Sequence, residues 1–275
     1  MRKTVKTINT IAALTFTMIL TGCGSKNDTS EIKIIALKAG SADAFVLESE
    51  NTVTIIDTGL DKNKEELVDF LKEENITKVD NLIITHFDKD HVGGADSVID
   101  EFDIGKVYAT YQSKESDDIT EYYASLSSKN LTETVVTNKL EYEADGITYT
   151  IYPPESDSYS DSESNNSSLV IRIVAGNYSM LFAGDAEEAR ISELLSTPWL
   201  ESTILKVPHH GRIAANSEEF VQYINPDYAV ITSGGSDKED DELVDILNDN
   251  DVDTFLTRKG TVTIVMTSNS VEISQ

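Results

Sequence analysis

Two imidazoles and two carboxylates fall within six residues in the run His86-Phe87-Asp88-Lys89-Asp90-His91. The run follows the apolar segment Leu82-Ile83-Ile84, where a buried strand would pass into a loop, and a rigid scaffold commonly presents its reactive groups at such a point. The chain has four histidines, and the other two are adjacent, at His209 and His210. Imidazole and carboxylate together suit Zn²⁺, Mn²⁺ or Fe. The one cysteine, Cys23, lies far from both clusters in the sequence, so a structural zinc site built on thiolates is excluded. His and Asp on loops at strand ends leave coordination positions open, as a catalytic metal requires.

Elements to position these residues can be read along the chain. Ile32 to Leu37 and Ala44 to Leu47 read as paired strands around a turn at Gly40-Ser41, and Thr52 to Ile56 as a further strand ending in Asp57-Thr58-Gly59. Leu67, Phe70 and Leu71 give Glu65 to Lys72 a helical spacing. Val79 to Thr85 is the strand before the His/Asp run, and a helix follows Gly94. A strand at Lys106 to Tyr111, a helix at Asp118 to Leu126 and strands at Glu133 to Val136, Leu140 to Tyr142 and Ile147 to Tyr152 come next. Glu155 to Asn166, rich in Ser and Asp, reads as a loop. Leu169 to Val174 and Tyr178 to Phe182 form a hairpin turning at Gly176-Asn177. A helix at Ala186 to Leu195 precedes a strand, Thr203 to Val207, that ends at Pro208-His209-His210-Gly211. Helices at Glu218 to Ile224 and Glu242 to Leu247 then alternate with strands to the C-terminus. β-rich halves with helices between their strands predict two sheets packed face to face with helices outside.

The N-terminus reads as a processing segment. Arg2, Lys3 and Lys6 precede an apolar stretch, Ile11 to Leu20, that is short for a spanning helix and ends in Leu20-Thr21-Gly22-Cys23. This resembles a bacterial lipobox. The resemblance implies removal of residues 1–22, lipidation of Cys23, a tether over 23–31 and one domain over 32–275. The chain would then sit at the bacterial cell surface, anchored in the membrane through Cys23 on the outer face of the cytoplasmic membrane. At 275 residues with a formal net charge of −27, the chain can bury a full core, and its surface is strongly acidic. That charge argues against strong nucleic-acid affinity, which needs a basic footprint, but leaves room for a polyanionic substrate met by metal ions.

His86-x-Asp88-x-Asp90-His91 resembles the signature of the metallo-β-lactamase superfamily, whose more usual form has His where Asp88 stands. The Asp form followed by Gly93-Gly94 is similar to the hydrolase domain of ComEC-type competence proteins. Further matches occur in the family's order: Ile56-Asp57-Thr58-Gly59, Asn165-Asn166-Ser167-Ser168-Leu169-Val170, Phe182-Ala183-Gly184-Asp185 and Leu205-Lys206-Val207-Pro208-His209-His210-Gly211. The resemblance implies an αββα sandwich and two divalent metal ions, Zn or Mn. By it His86 and Asp88 hold one ion, and Asp90 and His91 hold the second with His209 or His210. The reading leans to His209. Asp185 bridges the ions, and Asp90 also orients the nucleophilic water. Asp57 supports a ligand His or a loop backbone from behind. Asn165, Ser167 and Ser168 are substrate-contact candidates. The family's third first-site His has no counterpart, so the first ion has His86, Asp88, Asp185 and waters or an amide, a harder set that favours Mn²⁺. Arg212 replaces the Ser that commonly follows His-His-Gly.

The function so implied is a surface-anchored dinuclear-metal hydrolase that cleaves a phosphodiester, either nucleic acid or a small cell-surface phosphodiester, with a metal-activated water. Hydrolysis of an ester, lactone or β-lactam is the alternative within the fold, and a non-catalytic binding module is the alternative outside enzymes.

Overall fold

The computed structural model describes residues 30–275. The expected signal segment, Cys23 and nearly all of the tether lie outside the described residues.

The chain begins with β1 (Glu31–Ala36), β2 (Ala44–Glu48), β3 (Val53–Thr58), α1 (Lys64–Glu73), β4 (Lys78–Ile84), α2 (Lys89–Val92), α3 (Ala95–Glu101), β5 (Asp103–Ala109), α4 (Asp117–Ser128) and β6 (Glu133–Val135). The next stretch comprises β7 (Leu140–Ala144), β8 (Ile147–Tyr152), α5 (Glu163–Asn166), β9 (Val170–Ala175), β10 (Tyr178–Phe182), α6 (Glu188–Leu195), β11 (Ile204–Lys206), α7 (Ser217–Ile224), β12 (Tyr228–Ile231), α8 (Asp241–Asp249) and β13 (Asp253–Leu256). Two last strands, β14 (Val262–Thr267) and β15 (Val271–Ser274), return to the first sheet.

One sheet has the order β15-β14-β1-β2-β3-β4-β5-β6, the other β13-β12-β11-β10-β9-β8-β7. Strands β3 to β6 run parallel in the first, and β10 to β13 in the second. Each of these six parallel steps carries a crossover helix, which must pack on a sheet face. Alternation along each strand sorts the side chains. Ile32, Ile34, Phe45, Leu47, Ile56 and Ile83 face Tyr149, Ile151, Ile171, Ile173, Met180 and Phe182 between the sheets. Phe45 meets Phe182 edge to face, ring centroids 5.1 Å apart. The intervening Ile35, Val46, Ile55, Leu82 and Ile84 pack under α1, α3 and α4. Leu181, Leu205 and Ile231 do the same under α6, α7 and α8. The result is the αββα sandwich. Among the described residues no helix is long and apolar enough to cross a membrane.

Two local readings change. The stretch 155–166 is not loop throughout, since its last four residues form α5. The His/Asp run is not simply a loop: Lys89 to Val92 is a helical turn with Asp88 at its N-cap position. Gly93 and Gly94 follow because the turn lies against the β3 exit. A Cβ on Gly93 would stand 2.5 Å from the Asp61 nitrogen, and one on Gly94 would stand 2.6 Å from the Thr58 carbonyl.

Candidate metal centre

The ends of β3, β4, β10, β11 and β12 meet at one edge of the sandwich, and each delivers part of the site. Asp57 is the penultimate residue of β3, His86 stands two residues beyond β4, and Asp185 three beyond β10. Asp90 and His91 lie on α2, and His210 lies in the turn after β11.

One ligand atom from each of Asp90, His91, Asp185 and His210 can be chosen so that all lie within 4.8 Å of one another. Asp185 Oδ2 is 3.1 Å from His91 Nε2 and 3.2 Å from His210 Nε2, and His210 Nε2 is 3.3 Å from Asp90 Oδ2. Yet the Nε2 atoms of His86, His91 and His210 are all buried without a hydrogen-bond partner. Buried polar atoms in folded proteins are almost always paired. Three orphaned imidazole nitrogens turned toward carboxylate oxygens, close but not aligned for hydrogen bonding, form a donor set suited to a divalent cation.

The other face of each ring is held. His91 Nδ1 is 2.7 Å from Asp57 Oδ2, and Asp57 also accepts from the Thr85 backbone N–H at 2.7 Å and from Thr85 Oγ1 at 2.6 Å. Asp57 thus touches both a candidate ligand imidazole and the loop backbone. His210 Nδ1 is 3.0 Å from Thr232 Oγ1, which donates to Asp43 Oδ1 at 2.6 Å. Such contacts fix tautomer and ring orientation.

Of the adjacent pair, His210 enters the cluster, which corrects the leaning to His209. His209 points away, its Nδ1 3.3 Å from Glu187 Oε1. Both residues adopt left-handed backbone angles, φ 46° and 52°. Each such residue costs about 1–3 kcal/mol. The pair turns one ring inward and the other outward within a single turn.

The first-site residues are more loosely gathered. The His86 and His91 ring centroids are 4.0 Å apart, and His86 Nε2 lies 4.0 Å from Asp88 Oδ1. Asp88 Oδ1 accepts from both Lys114 Nζ and Ser164 Oγ. Ser167 and Ser168 are fully buried, which corrects the expectation that they meet substrate. Ser167 Oγ donates to the Ser164 carbonyl, and Ser168 Oγ accepts from the Asp185 backbone N–H at 3.1 Å. They hold α5 and Asp185 in place. Asn165 is half-buried, its amide donating to Glu187.

Asp43 and Lys206 form a buried pair that the sequence motifs do not single out. Lys206 is fully buried, with Nζ 2.5 Å from Asp43 Oδ2, 3.3 Å from Asp185 Oδ1 and donating to the Gly184 carbonyl at 2.7 Å. A signal existed in the sequence. Lys206 is the lone charge in Ile204-Leu205-Lys206-Val207 and Asp43 the lone charge in Ala42-Asp43-Ala44-Phe45, and a charge in a buried strand requires a partner.

The electrostatics follow from this crowding. Burial opposes the charged imidazolium, but at His91 the carboxylates of Asp185, Asp57 and Asp43 outweigh it and raise the pKa well above the ordinary value. Burial also works against His210, yet Asp185, Asp90 and Asp43 push it up to about 9. His86 is lowered to about 4 by its burial and by the neighbouring His91. Burial would raise Asp185, but His210, His91 and Lys206 hold it well below the usual carboxylate range.

Comparison with known proteins agrees with this geometry. The family model described as "Metallo-beta-lactamase superfamily" matches residues 37–235. ComE operon protein 3 of Bacillus subtilis (strain 168) is 27% identical over 175 residues, covering 62% of this chain and 22% of that protein. The chain therefore corresponds to less than a quarter of that relative's length. Among solved structures, the metallo-beta-lactamase fold protein YhfI from Bacillus subtilis superposes with a TM-score of 0.59 at 10% identity, covering 86% of this chain and 99% of that one. A diphosphatase from the PhnP family superposes with a TM-score of 0.51 at 12% identity, covering 82% and 94%.

Proposed function

This chain belongs to the metallo-beta-lactamase superfamily, and from that membership we propose that it is a surface-anchored metallohydrolase of phosphodiesters that uses two divalent ions, Zn or Mn. The observation that carries the reading is the set of three buried imidazole Nε2 atoms without hydrogen-bond partners, those of His91 and His210 gathered with Asp185 and Asp90 and that of His86 4.0 Å from Asp88 Oδ1. His91, His210, Asp90 and Asp185 would hold one ion. His86 and Asp88 would hold the other, with Asp185 between them.

Bound there, divalent ions supply positive charge that lowers the pKa of water and stabilises the charge developing on a phosphoryl group. The chain's own groups do the rest. Asp90 is about a quarter exposed, with Oδ2 3.3 Å from His210 Nε2, and would orient the attacking water. Lys114 Nζ sits on Asp88 with its side chain part-exposed, so its remaining N–H groups can meet an anionic oxygen of the substrate. Asp57 and Thr232 keep the ligand rings aligned.

A phosphodiester is favoured because paired divalent ions suit in-line phosphoryl displacement. The likeness to a PhnP-family diphosphatase is consistent with that class. The net charge of −27 favours a small phosphodiester, such as a phosphocholine-bearing or teichoic-acid-type group, over long nucleic acid. Anchoring through Cys23 would put the enzyme beside such substrates.

Cleavage of a bis-aryl phosphate in the presence of Mn²⁺ or Zn²⁺ tests the reading. Metal-dependent turnover that disappears in Asp90→Ala supports it. Absence of both bound metal and cleavage sinks it.

A further inference from the structure

We propose that the side-chain amide oxygen of Asn165 is a ligand of the first metal position, standing where the chain has no further histidine to offer. The inference rests on the dinuclear reading above and says how its weaker half is completed.

All four histidines are accounted for. His91 and His210 turn their Nε2 atoms to Asp185, His86 Nε2 lies 4.0 Å from Asp88 Oδ1, and His209 faces Glu187. The first position is left with His86, Asp88 and Asp185. Asn165 Oδ1 is buried without a hydrogen-bond partner, the same condition as the three imidazole nitrogens. The other end of the amide is committed, since Nδ2 donates to Glu187 Oε1 at 2.7 Å. A carboxylate only accepts, so Glu187 fixes which end of the amide is nitrogen and turns the oxygen away from itself.

The neighbours of Asn165 locate it beside the first-site residues. Ser164, one residue before, places its hydroxyl on Asp88 Oδ1. Ser168, three residues after, has Oγ 3.4 Å from His86 Nδ1. Asn165 is therefore bracketed along the chain by contacts to both first-site ligands. Glu187 is itself held in place, accepting from Ser162 Oγ and lying 3.3 Å from His209 Nδ1. His209 thus acts on the site through Glu187, as a positioning residue.

An amide oxygen is neutral and hard. It adds no charge to a site already rich in carboxylate, and it suits Mn²⁺ or Mg²⁺ better than a third imidazole would. The first position should bind more weakly than the second, and the two should fill in sequence.

The test is metal binding itself, read by calorimetric titration of the purified chain with Mn²⁺ and by the Mn²⁺ electron paramagnetic resonance spectrum. Wild type should show two classes of site. Asn165→Ala should lose roughly 10- to 100-fold in affinity at the weaker class only, the scale of support lost at metal sites. Circular dichroism of the chelated variant should match wild type. If Asn165→Ala binds both ions as wild type does and only the KM for a bis-aryl phosphate rises, Asn165 is a substrate contact and the proposal is overturned. Fewer than two ions on wild type would overturn the dinuclear reading itself, and this proposal with it.

Discussion

His91 Nδ1 lies 2.7 Å from Asp57 Oδ2, and that contact decides which nitrogen His91 presents to the centre. The same carboxylate receives the backbone N–H and the hydroxyl of Thr85, immediately before His86. One buried aspartate therefore orients the His91 ring and the loop that carries His86. Asp57→Asn keeps the shape but removes the charge behind the ring. Chelator competition should show metal affinity falling roughly 10- to 100-fold in this variant, and unchanged affinity would mean that Asp57 only shapes the turn.

The adjacent histidines separate cleanly. His210→Ala should remove one bound ion as measured by metal analysis and abolish metal-dependent cleavage. His209→Ala should leave the second-site ion in place, because its ring faces Glu187. Equal metal loss in both variants would contradict the inward and outward turn of the pair.

Lys206 is the buried counter-charge for Asp43 and Asp185. Lys206→Met leaves two buried carboxylates without it, which should cost about 3–5 kcal/mol in urea unfolding of the chelated protein. The double variant Lys206→Met with Asp43→Asn should recover part of that loss. No recovery would show that Lys206 is not balanced by Asp43.

The chelated protein should be most stable near pH 6.5. His210 has a folded pKa raised to about 9 from 6.5, so the stability it contributes is full below 6.5 and is lost as pH rises through about 9. His86 is lowered to about 4, so between about 4 and 6.5 the unfolded chain binds its proton and the folded chain does not, and stability rises with pH there. Thermal unfolding with a chelator from pH 5 to pH 9.5 checks both arms. Metal-loaded protein should lack the alkaline loss, because ligand imidazoles are already deprotonated. An apoprotein curve that rises steadily to pH 9 would refute the assignment.

Cys23→Ala should move the protein from the membrane fraction to the soluble fraction of a bacterial expression host. Retention in the membrane would remove the lipid anchor from the proposal.

The sequence by itself determined the architecture, and the reason is periodicity. Alternating apolar residues in strands such as Ile32-Lys33-Ile34 and Val262-Thr263-Ile264, with helical spacing at Leu67 and Leu71, leave few ways to bury both faces of two sheets. It also marked out His86, Asp88, Asp90 and His91 as candidate ligands, because ligand types crowd at the end of a strand, whereas Asp185 was reached through the family resemblance. Tertiary structure alone decided how they divide the work. Whether His209 or His210 faces inward depends on two consecutive left-handed residues, and no local composition signals that turn. Ser167 and Ser168 look like polar loop residues until α5 folds beneath the site and buries them. Asp43 and Lys206 lie 163 positions apart in the chain, so their 2.5 Å pairing exists only once β2 and β11 are brought to the same edge. Orientation, pairing and burial are properties of long-range contacts, and those are set by packing the whole sandwich.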